Sequence, residues 1–152
     1  MIKPLEEWAR FPLLRLMLEQ LIHTLAEELE FEEIPKKEEG NSYQVLLNPQ
    51  LSIRMQELDQ GISFWARIDA CPAAKREDLF ILLMKANFLG QGTGGSTIAL
   101  EENENFLTLS SIFPYDMNYK MFKDALEDFA NYLDYWKEEL VRHKKMAEES
   151  VL

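Results

Sequence analysis

Three consecutive stretches of this chain alternate apolar and polar residues with a period of two. Tyr43, Val45 and Leu47 alternate with Gln44 and Asn48. After Asn48-Pro49, Leu51, Ile53 and Met55 alternate with Ser52, Arg54 and Gln56. After Asp59-Gln60-Gly61, Ile62, Phe64, Ala66 and Ile68 alternate with Ser63, Trp65, Arg67 and Asp69. Period two puts alternate side chains on opposite faces of a strand. Spacers this short join only antiparallel neighbours, so the sequence predicts a meander with one covered face. That sheet needs helices to cover it, and the remaining chain supplies them.

A first helix is predicted over residues 12–30. Pro12 suits a first turn, where its missing N–H is no loss. Leu14, Leu18, Leu21, Leu25 and Leu29 recur at steps of three and four as a core stripe. Leu13, Leu16 and Met17 add apolar surface off that stripe, and a short amphipathic piece with Leu5, Trp8 and Phe11 precedes it. Residues 32–42 read as a charged loop. Cys71-Pro72 ends the third strand, and residues 73–89 form a second helix, with Gly90 as its cap. Two further strands, "GSTIAL" and "FLTLSSIF", flank a turn at 101–105. A third helix covers about 117–145, with Asp116 placed to cap it. Its Phe122, Leu126, Phe129, Leu133, Trp136 and Leu140 step by four and three. The order α-β-β-β-α-β-β-α defines an α+β fold. The 152 residues fit one domain, with 1–11 as an N-terminal extension and 146–152 as a flexible tail.

Residues 90–95, "GQGTGG", match the G-x-G-x-x-G string of dinucleotide-binding loops, and with Ser96 and Thr97 nearly match a phosphate-binding P-loop. Those loops follow a strand and open a helix, whose free N–H groups meet the phosphates. Here a helix ends and a strand begins, Ser96 stands where a P-loop has lysine, and Glu101 and Glu102 follow. The glycines are instead expected to cap a helix and make a close-packed turn. No cofactor is implied.

Charge narrows the classes further. The formal net charge is −11, which opposes binding to nucleic acid or to an anionic membrane surface. No apolar run reaches the roughly 20 residues that span a bilayer, and "MIKPLEEWARFPLLRL" has none of the pattern of a secretory leader. Cys71 is the only cysteine, which suits a reducing cytosol and permits no internal disulfide. His23 and His143 have no cysteine or carboxylate at metal-ligand spacing. Ser96, Ser110 and Ser111 lack a nucleophile motif. These residues point to no enzyme and no metal.

What stands out is an excess of apolar surface. From 79 to 89 only Lys85 and Asn87 are polar. A helix apolar all round must be covered on most sides. Burial inside the monomer or a second copy of the chain would do this, and the second copy is expected. Trp65 falls on the polar side of its strand with Arg54 and Arg67, and Leu46 shares that parity. A Trp beside Arg on an open sheet suits a partner; a helix packed over that face is the alternative.

The element order, the small acidic chain, "LLMKANFLGQGTGGSTIALEENENFLTLSSIFP" and the closing "DALEDFANYLDYWKEEL" together resemble the class I type III secretion chaperones, the Tir chaperone family. The resemblance covers about 14–144; the piece with Trp8 and Phe11 departs from it. It implies a homodimer built on 79–89 and 95–100, with Leu79, Ile81, Leu82, Leu83, Met84, Phe88, Gly95, Thr97 and Ile98 at the interface. It implies that the chain holds the N-terminal segment of a secreted effector extended and soluble in the bacterial cytoplasm, and releases it at the secretion ATPase. The effector-binding residues expected from the resemblance and the off-stripe apolar residues are Leu13, Leu16, Met17, Leu46, Arg54, Trp65 and Arg67. A dimeric adaptor of the same fold for a cytosolic regulator is the alternative, and a nucleotide binder or enzyme comes third.

Overall fold

The computed structural model describes residues 17–151. Leu13 and Leu16 of the expected effector site lie outside them, as do Leu5, Trp8, Phe11 and Leu14.

Helix α1 is Met17–Glu28, with Leu18, Leu21, Ile22, Leu25 and Ala26 buried. It stops earlier than the leucine stripe predicts. Glu30 takes a left-handed φ of 52°, and Phe31 N–H donates to Ala26 O at 2.9 Å. This turn satisfies the last carbonyls and turns Leu29 out to 46% exposure, so Leu29 is not a core residue. A two-residue strand β1, Lys37–Glu38, then folds back on β2, Ser42–Asn48, inside the segment read as a loop.

The meander is present as predicted. β2 pairs antiparallel with β3, Leu51–Leu58, and β3 with β4, Gly61–Ala70. The β2–β3 turn is tied by Asn48, whose side chain accepts from the N–H groups of Gln50 and Leu51 at 2.8 and 2.9 Å. β5, Thr97–Leu100, and β6, Phe106–Phe113, complete the sheet of the described residues. The spatial order is β1-β2-β3-β4-β6-β5, antiparallel throughout.

One face of the sheet carries Val45, Ile53, Met55, Ile62, Phe64, Ala66 and Leu109, all at most 1% exposed, and faces α1 and the third helix in a single core. That helix, α3, is Tyr119–Glu149. Asn118, not Asp116, caps it: its side-chain oxygen accepts from Met121 N–H at 2.9 Å. Phe122, Leu126, Phe129, Leu133, Trp136 and Leu140 are buried, the stripe read from the sequence. Phe64 is the centre of the core, with ring centroids at 4.9 Å from Phe113, 5.8 Å from Phe122 and 5.7 Å from Phe129. The helix runs four residues past 145, through most of the segment expected to be a tail, and buries Ala147. α1 is joined to α3 by Glu28, which accepts from Tyr119 OH and Lys123 Nζ.

Between β4 and β5 lies α2, Arg76–Asn87, three residues shorter at its start than predicted. It ends in a single 3-10 turn, Phe88–Gly90.

Candidate partner-binding surfaces

α2 has two unlike sides. Leu79, Leu83 and Ala86, at helical spacing, enter the chain's own core. The expectation that Leu79 and Leu83 face a partner is therefore corrected: they are 1% and 5% exposed. Ile98 is corrected on the same ground, since β5 turns it into the core. The other side stays apolar and uncovered, with Ile81, Leu82, Met84 and Phe88 exposed, and Leu89 beyond them at 79%. Leu89 holds φ +55°, a costly conformation for a leucine. Gly95 and Thr97 are exposed nearby in sequence.

The glycine loop is a packed turn. Its N–H groups are used internally: Gly92 donates to Ala86 O at 2.9 Å, Thr93 and Gly95 to Gly90 O at 3.3 and 3.2 Å, and Ser96 to Thr93 O at 3.1 Å. Trp136 Nε1 donates to Gly92 O at 2.9 Å and pins the loop to α3. A Cβ on Gly90 would lie 2.7 Å from Gly95 Cα, and one on Gly94 2.2 Å from the Tyr132 ring. The glycines are thus explained by close approach and by positive φ at Gly90, Gly94 and Gly95. A phosphate cradle needs N–H groups that point outward, and these do not.

Asn87 carries a role that the sequence did not signal. Its amide donates to Ile98 O and accepts from Ile98 N–H, both at 2.8 Å. It pairs with the outer edge of β5 as a neighbouring strand would, and so closes that edge at Ile98.

The second face of the sheet has no helix over it among the described residues. Register places Leu46 opposite Ser52, Arg54 opposite Trp65, and Trp65 opposite Ser110. Leu46, Arg54 and Trp65 therefore share this open face, as predicted. Leu46 is 56% exposed and Trp65 half-buried. A shallow depression of about 340 Å³ is lined by Arg54, Ser63, Trp65, Ser110 and Ile112. Ile112 is 55% exposed and was missed, although parity signalled it: Leu107, Leu109 and Phe113 take the core side, which leaves Ile112 on the other. Arg54 Nη2 donates to Ser42 Oγ at 3.2 Å.

Two expected members do not join this site. Met17 sits on α1, half-buried against the core across the sheet. The described outer surface of α1 is polar, with Gln20, His23, Thr24 and Glu27. Arg67 is on the open face but is already engaged. Its Nε and Nη2 donate to Glu101 at 2.6 and 3.1 Å, and its guanidinium lies 4.1 Å from the Phe106 ring centre.

Among the described residues no group of three or more histidines, cysteines or carboxylates is placed to hold a metal, and no helix is long and apolar enough to cross a membrane. Cys71 is half-buried beside Pro72 O.

A sheet with helices on one face, an open apolar patch on the other and a helix apolar on its outer side defines a protein-binding module. The comparisons make this specific. The sequence profile of the Tir chaperone protein (CesT) family matches residues 20–137, and the chain belongs to that family: it is a type III secretion chaperone. A protein of Chlamydia pneumoniae is 27% identical over 126 residues, covering 82% of this chain and 96% of its own length. Among solved structures, a chain of the ExsC–ExsE complex superposes with a TM-score of 0.67 at 13% identity, covering 80% of this chain and 91% of its own. A chain of the HopA1–SchA chaperone–effector complex gives 0.64 at 9%, covering 82% and 95%. A chain of the ExoU–SpcU heterodimer from the type III secretion system of Pseudomonas aeruginosa gives 0.62 at 10%, covering 80% and 96%. At these identities the three structures establish the fold.

Proposed function

We propose that the chain works as a homodimer in the bacterial cytoplasm, holding the N-terminal segment of a secreted effector extended and soluble. The dimer delivers that segment to the secretion apparatus, where the ATPase releases it. The chaperone performs no chemistry of its own. The observation that carries this reading is a pair of separate apolar surfaces that the described chain does not cover. One, on the outer side of α2, is taken by the second copy; the other, around Leu46, Trp65 and Ile112, is taken by the client. Burying side chains such as Ile81, Leu82 and Phe88 contributes about 1.5–3 kcal/mol each before association costs. The HopA1–SchA chaperone–effector complex supports an effector as the client class.

The test is co-purification from the native host with light scattering on the eluted complex. A dimer that carries a secreted protein bound through its N-terminal region is expected. A resident cytosolic protein in its place would favour the adaptor alternative, and a lone monomer would overturn both.

A further inference from the structure

A groove of about 340 Å³ lies beside α3 on the helical side of the sheet, and neither the second copy nor the client proposed above takes it. Phe113, Met117, Met121, Phe129 and Tyr132 wall it. Met117 and Phe129 are buried, so the groove reaches the core, while Met121 is exposed. Asp124 and Asp128 also line it, with no lysine or arginine in the lining. Asp124 accepts from Lys120 Nζ at 2.7 Å, and Asp128 forms no ion pair among the described residues. Thioether and aromatic walls beside carboxylates suit an aromatic side chain next to a cation. The chain carries that combination in residues 1–16, where Arg10 lies between Trp8 and Phe11. Those sixteen residues hold Lys3, Arg10 and Arg15 against Glu6 and Glu7, a net charge of +1. The chain as a whole carries −11, which leaves −12 for the remainder. The family profile begins at residue 20, so the segment falls outside what the chain shares with its family. Nine residues join Trp8 to Met17 and span up to about 30 Å, the width of a small domain. Met17 opens α1, which lies on the same side of the sheet as α3. α1 meets α3 at Tyr119 and Lys123, whereas Met121, Ala125, Asp128 and Tyr132 lie on another flank at helical spacing, so the route crosses the outer surface of α3. The open face of the sheet is a poorer match. It lies across the sheet from α1, and its depression has Arg54 and no carboxylate in the lining.

From the apolar walls, the carboxylates, and the charge and reach of the segment, we propose that residues 8–11 of the same chain dock in this groove. The Trp8 and Phe11 rings sit against Met117, Met121 and Tyr132, and Arg10 between them meets Asp128. The segment is then an internal strap over α3, and it closes the groove to clients. Apolar contact holds the strap, and charge selects this groove over the open face. Neither the dimer nor the client enters this assignment, so it stands or falls apart from the proposed function.

The experiment is a disulfide trap in the full chain, with Cys71→Ser removing the native thiol. Ala9→Cys is combined with Ala125→Cys in the groove and, in a second variant, with Ser63→Cys on the open face. A bridge forms only where the two Cα atoms come within about 7 Å. Glutathione disulfide is the oxidant, and gel mobility without reductant separates bridges within a chain from bridges between chains. The groove pair is expected to bridge within one chain, at least about tenfold faster than the open-face pair. Adding Trp8→Ala and Phe11→Ala to the groove pair should slow it about tenfold at any salt concentration. Adding Asp124→Asn and Asp128→Asn should slow it about threefold at low ionic strength and little at high salt. Bridges between chains would give the groove to the segment of a second copy. Equal rates for the two pairs, no bridge in the groove pair, or a rate unchanged by loss of the two rings would leave the groove without this occupant. Each of these results overturns the inference.

Discussion

Gly94 and Gly95 are adjacent and both have positive φ, yet they answer to different constraints. At Gly94 the left-handed backbone coincides with a ring: a Cβ would lie 2.2 Å from Tyr132 Cε2 and 2.7 Å from Cδ2. At Gly95, φ +85°, a Cβ meets nothing within 4 Å. Gly95→Ala therefore adds backbone strain alone, about 1 kcal/mol. Gly94→Ala adds the same strain and must also expel Tyr132 from its place against the core, for a total of about 2–4 kcal/mol. Urea unfolding should rank the two in that order; equal losses would remove the Tyr132 contact from the explanation. The motif matched a nucleotide-loop string, and the order helix, glycines, strand pointed instead to the packed turn that the structure shows. Asn87 was not legible in the same way. Its amide matters only because β5 returns to within hydrogen-bond reach, and that is a property of the folded chain.

Elements with a strong period were recovered with their buried face, and those without one were missed or found without it. The meander and α3 follow from periods of two and of about three and a half. β1 is two charged residues with no pattern to read. α2 was found, but its rotation was hidden, because a run apolar on every side does not say which side the core takes. The structure assigns Leu79, Leu83 and Ala86 to the core, and this separates two substitutions that the sequence treated alike. Leu83→Glu buries a charge in the monomer and should unfold or aggregate it. Ile81→Glu or Met84→Glu, on the exposed side, should leave the circular dichroism spectrum intact and shift sedimentation from dimer to monomer. A folded dimer in either exposed-side variant would place the interface elsewhere. The α1–α3 joint makes a second prediction at this scale. Desolvation, and then its hydrogen bond to Glu28, push Tyr119 from 10.0 up to about 12. The hydrogen bonds from Lys123 and then Tyr119 hold the Glu28 carboxyl below its usual value. The folded state keeps the Tyr119 proton where the unfolded chain has lost it. The joint's contribution is therefore complete below pH 10.0 and falls as pH rises toward about 12. For Glu28 the sign reverses: its contribution is present above the unfolded value and is lost as pH falls through the depressed one. Tyr119→Phe should be less stable than wild type at neutral pH, with a gap that narrows above pH 10.0. A gap constant to pH 12 in denaturant titrations would show that the hydroxyl carries none of the alkaline dependence.

For the whole molecule, the two faces of the sheet divide the work. The inner face holds the fold together through Phe64 and its aromatic neighbours, while the outer face carries Leu46, Trp65 and Ile112, which no helix covers among the described residues and which the proposed function gives to the client. Trp65 is the test of that division. It projects from β4 with Arg54 and Ser110 as cross-strand neighbours, and it is half-buried on a face that no helix covers among the described residues. Trp65→Ala should then keep the helix content and the dimer, since neither α3 nor α2 rests on it. A client segment lying across this face would lose a large apolar anchor near its centre, and truncations of that kind cost about 2 kcal/mol or more, roughly thirtyfold in affinity. The wild-type fluorescence offers a second readout. Trp136 is 3% exposed and hydrogen-bonded to Gly92, so its emission should respond little to a client. A blue shift on binding that is lost in the Trp65 variant would assign the change to the open face. Two results would reverse the conclusion. If the variant unfolds, the face is structural and the Trp is part of the core. If it folds and binds its client as tightly as before, the client runs over some other surface.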